Sequence, residues 1–307
     1  MFSVIFPGQG SQFIGMAKEF YENFNYVKDY FEKANEITKK KLSNIILDGP
    51  KEILDQTENT QPAIFLVSYS IFKVIEIETG FNLKKSKFFA GHSLGEYSAL
   101  CCSNSISFEQ TIDLLKYRGI AMQNAVPKGE GGMIAILGEE INNIKDILKE
   151  NQSKFKCYVA NDNSVGQIVV SGKTNCLELF IEVLKKLNIK FVKLQVSAPF
   201  HCPLMKKATD EMSAKILQTE FKNPDVSIIS NVTTKPENKS NEIKKLLIQQ
   251  IECPVRWRES VQNMINLGVN NFIEVGPGKV LSGLVKRIDR NVKLNHINNL
   301  HDLKLIK

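Results

Sequence analysis

Lys87-Phe88-Phe89-Ala90-Gly91-His92-Ser93-Leu94-Gly95-Glu96 is the stretch on which the reading of this chain turns. Residues 87–90 suit a short buried strand, and residues 96–102 suit a helix. Between them, Gly91-His92-Ser93-Leu94-Gly95 matches G-x-S-x-G, a sharp strand-to-helix turn that projects a serine hydroxyl. Glycines two positions either side of the serine let neighbouring backbone approach where a Cβ would clash. The helix that starts there aims N–H groups and the positive end of its dipole at the same point. The bland alternative is a chance glycine–serine turn. The strand before it and the helix after it favour Ser93 as a nucleophile.

Outward from this turn, strands and helices alternate. Residues 2–6 read as a buried strand entering a Gly-Gln-Gly loop. Residues 15–37, 61–78 and 108–126 carry helical spacing. This alternation predicts an α/β fold with a parallel sheet covered on both faces. The rhythm changes after the loop-like stretch Pro127-Lys128-Gly129-Glu130-Gly131-Gly132. Strand 133–137, helix 140–149, strands 157–161 and 167–171, helix 175–187 and strand 190–196 follow. This βαββαβ order is the mark of a ferredoxin-like unit. Two domains are therefore expected. A large one is built from residues 1–127 and 197–307, and a small one from residues 128–196 is inserted into it. Beyond it come a helix at 203–218, a strand at 226–230, helices at 243–251 and 259–267, and a strand at 271–275 before Gly276-Pro277-Gly278. The last residues read as weakly ordered.

A serine hydroxyl needs a base. The histidines are His92, His201, His296 and His301. His296 and His301 fall in the polar tail, and His92 adjoins the serine at a turn where adjacent side chains diverge. His201 lies in a turn-rich loop after a strand, a place where scaffolds hold catalytic groups, and is the favoured base. Acyl transfer also needs donors for a developing oxyanion. The N–H of Leu94 is one, and the loop Pro7-Gly8-Gln9-Gly10-Ser11-Gln12 offers a second. That loop lacks the Gly-Lys-Ser/Thr of a P-loop. Arg118 sits on an otherwise apolar helical stretch in a chain where arginine is rare. It reads either as an ordinary ion pair or as a bidentate clamp on a substrate carboxylate.

The 307 residues are 43% apolar and 24% charged, enough for a sizeable core without metal or disulfide staples. The formal charge of +7 is carried mostly by lysine and fits a solvated surface or an acidic partner. No arginine stripe with interleaved aromatics suggests nucleic acid. Cys101, Cys102, Cys157, Cys176, Cys202 and Cys253 make no C-x-x-C pair and no zinc spacing, so reduced thiols in the cytoplasm are expected. Residues 1–7 lack the features of a signal peptide, and no stretch is apolar enough to span a bilayer.

At these residues the sequence resembles the malonyl-CoA:acyl carrier protein transacylase family of bacterial type II fatty acid synthesis, over nearly its whole length. The matching stretches are Phe6-Pro7-Gly8-Gln9-Gly10-Ser11-Gln12, Thr60-Gln61-Pro62-Ala63, Gly91-His92-Ser93-Leu94-Gly95-Glu96 and Arg118-Gly119. Further on they are Ser197-Ala198-Pro199-Phe200-His201, Pro254-Val255-Arg256-Trp257 and the run from Glu274 to Leu281. The resemblance implies an α/β-hydrolase-like large domain with a ferredoxin-like insertion. It implies Ser93 as nucleophile, His201 as base, the backbone N–H groups of Gln9 and Leu94 as oxyanion hole, and Arg118 on the malonyl carboxylate. Gln250 matches a position whose backbone carbonyl steadies the histidine. Phe200, before the histidine, matches family members that prefer malonyl to methylmalonyl groups. Cys202, Val165 and Cys253 depart from the usual serine, proline and asparagine.

The implied activity is malonyl transfer from malonyl-CoA to the phosphopantetheine thiol of an acidic, transiently bound acyl carrier protein. It needs no cofactor and no metal, no nucleic acid and no membrane, and the chain is expected to be a monomer. The rivals are a serine thioesterase or esterase, a catalytically silent carrier-binding module, and an acyltransferase of a polyketide pathway.

Overall fold

The computed structural model describes residues 1–196 and 198–306. Ser197, where the notional second part of the large domain begins, lies outside the described residues.

Among the described residues ten strands form two sheets: β1 (Phe2–Phe6), β2 (Phe89–Gly91), β3 (Gly131–Leu137), β4 (Cys157–Ser164), β5 (Gln167–Lys173), β6 (Lys190–Lys193), β7 (Ile228–Ile229), β8 (Pro236–Glu237), β9 (Asn271–Val275) and β10 (Lys293–Ile297). The larger sheet runs β10-β9-β1-β2-β7-β8 and is parallel except for the β7–β8 hairpin. Its central strands β1 and β2 are buried almost throughout, as expected for a sheet with helices on both faces. One face packs on Phe6, Phe65, Phe72 and Phe89. The other packs on Ile5, Ala90, Trp257 and Phe272. The second sheet is antiparallel in the order β4-β5-β3-β6. Helices Ile141–Glu150 and Thr174–Lys186 pack on it through Ile144, Ile147, Phe180 and Leu184, giving it a core of its own.

Several elements differ from expectation. The expected single helix at 15–37 is two, Lys18–Asn23 and Asn25–Thr38, because Phe24 adopts an extended backbone between them. The expected strand at 190–196 ends at Lys193, and the residues beyond it turn toward the cleft. The tail read as weakly ordered instead forms β10, paired in parallel with β9, followed by a short 3-10 helix at His301–Ile306. An edge strand seated on a buried neighbour needs no strong pattern of its own. No helix among the described residues is long and apolar enough to cross a membrane.

Beside the cleft, β4 of the smaller sheet is stitched to the segment that enters the helix Trp257–Asn266. Val255 donates its N–H to Ala160 at 2.8 Å, and Asp162 donates its own to Val255 at 3.0 Å. Arg258 forks onto Asp162 with nitrogen–oxygen distances of 2.9 and 3.0 Å.

Candidate active site

β2 ends at Gly91 beside β1, and the helix Gly95–Cys102 starts four residues later. A Cβ on Gly95 would lie 2.3 Å from the Phe6 carbonyl oxygen, and one on Gly91 would lie 1.9 Å from the Gly95 carbonyl carbon. The turn closes only because both positions lack one. Ser93 sits at its apex with φ +53°, a left-handed conformation that non-glycine residues seldom adopt. Such conformations persist where surrounding structure over-determines them. Here Asn231 does so: its Oδ1 accepts the Ser93 N–H at 2.8 Å and its Nδ2 donates to the Gly91 carbonyl at 2.7 Å.

His201 also has a left-handed backbone, φ +57°. The loop before it is held by Ser171, which donates to the Phe200 carbonyl at 2.6 Å. His201 Nε2 lies 2.8 Å from Ser93 Oγ, and Nδ1 lies 2.8 Å from the backbone carbonyl of Gln250. A carbonyl only accepts, so Nδ1 carries the proton and Nε2 is free to accept from the serine. Burial, then the nearby Arg118 guanidinium, lowers the imidazole to about 3. At neutral pH it is therefore an uncharged base.

Arg118, on the helix Phe108–Gln123, is buried with its guanidinium held by neutral acceptors. Nη1 donates to Gln61 Oε1 at 2.8 Å. Nη2 donates to Gln250 Oε1 at 2.9 Å and to Ser93 Oγ at 3.1 Å. The ordinary surface ion pair is thereby excluded. Gln9, Leu94, Arg118, Phe200 and His201 line the same cavity as Ser93. Met122, Met133, Val169 and Leu194 make much of the remaining wall, and together these give an apolar chamber with one fixed cation.

The geometry matches acyl transfer by a serine. The chain contains other nucleophiles, but burial pushes the Cys101, Cys157 and Cys202 thiols up to about 12. Among the described residues no cluster of histidine, cysteine, aspartate and glutamate is placed to hold a metal ion.

Comparison with known proteins gives the family. Residues 3–297 match the family described as the acyl transferase domain. The chain is 41% identical over 303 residues to the malonyl CoA-acyl carrier protein transacylase of Bacillus subtilis strain 168, covering 98% of this chain and 94% of that one. The chain belongs to the malonyl CoA-acyl carrier protein transacylase family. The transacylase of Haemophilus influenzae is 36% identical over 307 residues, with 100% of this chain and 98% of that one covered. Among solved structures, the acyl-carrier-protein-S-malonyltransferase of Bartonella henselae superposes with a TM-score of 0.96 at 41% identity, over 99% of this chain and 97% of that one. A malonyl-transacylase solved in complex with its type II PKS acyl-carrier protein superposes with a TM-score of 0.95 at 37% identity, over 99% and 98%.

This transacylase-family site also contains side chains that the sequence reading passed over. The His92 ring is bonded to Asn163 and Asn161, while Ser93 Oγ is met by His201. His92 lines the cavity, with Nε2 2.8 Å from Asn163 Oδ1 and 3.4 Å from Asn161 Nδ2, and its ring lies against Trp257. Two register shifts in β4 turn Asn161 and Asn163 toward the cleft while Asp162 faces Arg258. Gln61, Glu96 and Asn231 complete the polar floor. Gln61 lies in the stretch Thr60-Gln61-Pro62-Ala63 and Glu96 directly follows the elbow, so both have a signal in the sequence. Asn231 has none. Of the three departures, Cys202 donates its thiol to the Pro199 carbonyl at 3.1 Å, as a serine hydroxyl could, and Val165 is an exposed turn residue.

Proposed function

We propose that this chain transfers a malonyl group from malonyl-CoA to the phosphopantetheine thiol of an acyl carrier protein, through a malonyl ester on Ser93, in fatty acid synthesis. The observation that carries it is a serine oxygen lying between a neutral imidazole and a buried guanidinium.

Ser93 Oγ attacks the thioester carbonyl as His201 Nε2 takes its proton. The tetrahedral oxyanion faces the backbone N–H groups of Gln9 and Leu94. Collapse breaks the carbon–sulfur bond, and His201 protonates the departing CoA thiolate. The carrier's thiol then gives its proton to His201 and attacks the ester. The second tetrahedral species expels Ser93, which recovers the proton. Arg118 receives the malonyl carboxylate as its charge partner. Phe200 closes the pocket against bulkier acyl groups. The backbone carbonyl of Gln250 takes the place of a triad carboxylate.

In this reading residues 1–127 and 197–307 form an α/β-hydrolase-like domain, supported by the parallel sheet and the elbow. Residues 128–196 form a ferredoxin-like domain, supported by the strand order β4-β5-β3-β6. The enzyme works as a cytoplasmic monomer without a cofactor. Its net positive charge favours encounter with an acidic carrier.

Intact mass spectrometry is the test. Incubation with malonyl-CoA is expected to add one malonyl group to the protein, and holo-carrier is expected to remove it as malonyl-carrier. Free malonate as the main product would identify a thioesterase instead.

A further inference from the structure

Glu96, the residue after the elbow motif, takes no part in the steps above. It lies in the first turn of the helix Gly95–Cys102 and is only 2% exposed. A buried carboxylate is costly unless donors face it. Burial raises Glu96 to about 7, against the opposing pull of Asn231, Gln250 and Arg118. Two donors converge on one of its oxygens. Oε2 accepts the Asn231 backbone N–H at 3.1 Å and the Gln250 Nε2–H at 2.8 Å.

Both donors belong to residues that shape the reacting centre. The side-chain amide of Gln250 has two ends of nearly equal shape, and its partners decide which way it faces. Nε2 is turned to acceptors: Glu96 Oε2, the Ser93 carbonyl at 3.1 Å and Asn231 Oδ1 at 3.3 Å. Oε1 is thereby presented to Arg118 Nη2. The reverse orientation would set an NH2 group against a guanidinium and a carbonyl against a carboxylate. Asn231, anchored by its main chain to Glu96, brackets the elbow with its side chain.

We propose that Glu96 is a positioning residue for acyl-group selection: its Oε2 fixes the Gln250 amide, which aims the Arg118 guanidinium, and its bond to Asn231 steadies the Ser93 turn. The inference rests on the transacylase reading and deepens it.

The test measures kcat and KM for malonyl-CoA and for acetyl-CoA in wild type, E96A, E96D and E96Q, with thermal denaturation of each. E96A removes the acceptor that the two donors share, and E96D withdraws the oxygen by about one methylene. Both are expected to lower the malonyl-over-acetyl preference by about tenfold or more, through a raised KM for malonyl-CoA. E96Q can offer its carbonyl oxygen to both donors and is expected to restore the preference to within about threefold of wild type. If E96A yields no folded protein, the ranking of E96D against E96Q decides. Equal slowing of both acyl donors, or a preference retained in E96D and lost in E96Q, would overturn the proposal while the wild-type acylation stands. Absence of wild-type acylation by malonyl-CoA would instead overturn the transacylase reading beneath it.

Discussion

Ser93 and His201 are both held in left-handed backbone, and their side chains meet at 2.8 Å. Ser93→Ala is expected to abolish the malonyl-enzyme adduct, read by intact mass. His201→Ala is expected to slow acylation by about 10²- to 10⁴-fold while leaving the fold intact by circular dichroism. The lowered imidazole gives a pH prediction. An ordinary histidine, near 6.5, is mostly protonated at pH 5, whereas His201, near 3, stays neutral. The acid limb of kcat/KM is therefore expected well below 6.5. Between 6.5 and 3 the unfolded chain binds the proton and the folded one does not. The stabilising contribution of the neutral imidazole is thus full above 6.5 and drains away as pH falls toward 3. Arg118→Ala removes one cause of the lowering, so the acid limb should move to higher pH in that variant. The same substitution should cost malonyl transfer about 10- to 100-fold more than acetyl transfer. An unmoved limb and a proportional loss of both substrates would mean that the guanidinium only fills space.

The short elements around the elbow were legible because their physics is local. G-x-S-x-G needs a strand before it and a helix after it, and both are present. The cost of disturbing that junction can be stated. Gly91→Ala or Gly95→Ala would drive a methyl group into backbone that belongs to the turn itself or to β1. Each is expected to destabilise the protein by at least about 2 kcal/mol in chemical denaturation, with activity falling alongside. The run from Glu274 to Leu281 has a comparable local logic. The buried Glu274 carboxylate accepts the N–H groups of Leu281 at 3.0 Å and Ser282 at 2.7 Å, which caps the helix Val280–Ile288. Gly276 passes close to Pro7 and Ser68, so this loop supports the one that carries Gln9. Elements set by distant contacts were harder to read. The seating of β10 on β9 depends on a partner strand that no local pattern points to. The shifts in β4 that turn Asn161 and Asn163 inward leave no local pattern either.

Over the whole molecule, the cleft is the seam between two sheets with separate cores. Ser93, His201 and Arg118 could be picked out by residue chemistry and motif. The polar floor beneath them was legible only in part: Gln250 came from the family resemblance, for its backbone carbonyl alone, whereas Asn231 reaches the floor from a segment more than a hundred residues beyond the elbow, with no motif around it. The seam itself rests on Asp162 and Arg258. Arg258→Ala would leave the nearly buried Asp162 carboxylate without its fork and is expected to cost about 3 kcal/mol of stability. It should also raise KM for malonyl-CoA, because Asp162 lies between the two asparagines beside His92. Unchanged KM in a folded R258A protein would separate the stitch from the site. The carbonyl that accepts the hydrogen bond of His201 Nδ1–H is a peptide group, and this has a genetic consequence. A triad whose third member is an aspartate can be disarmed by one codon. Here every residue that could occupy position 250 brings the same acceptor with it, so drift at that codon can blunt selectivity but cannot delete the anchor of the imidazole.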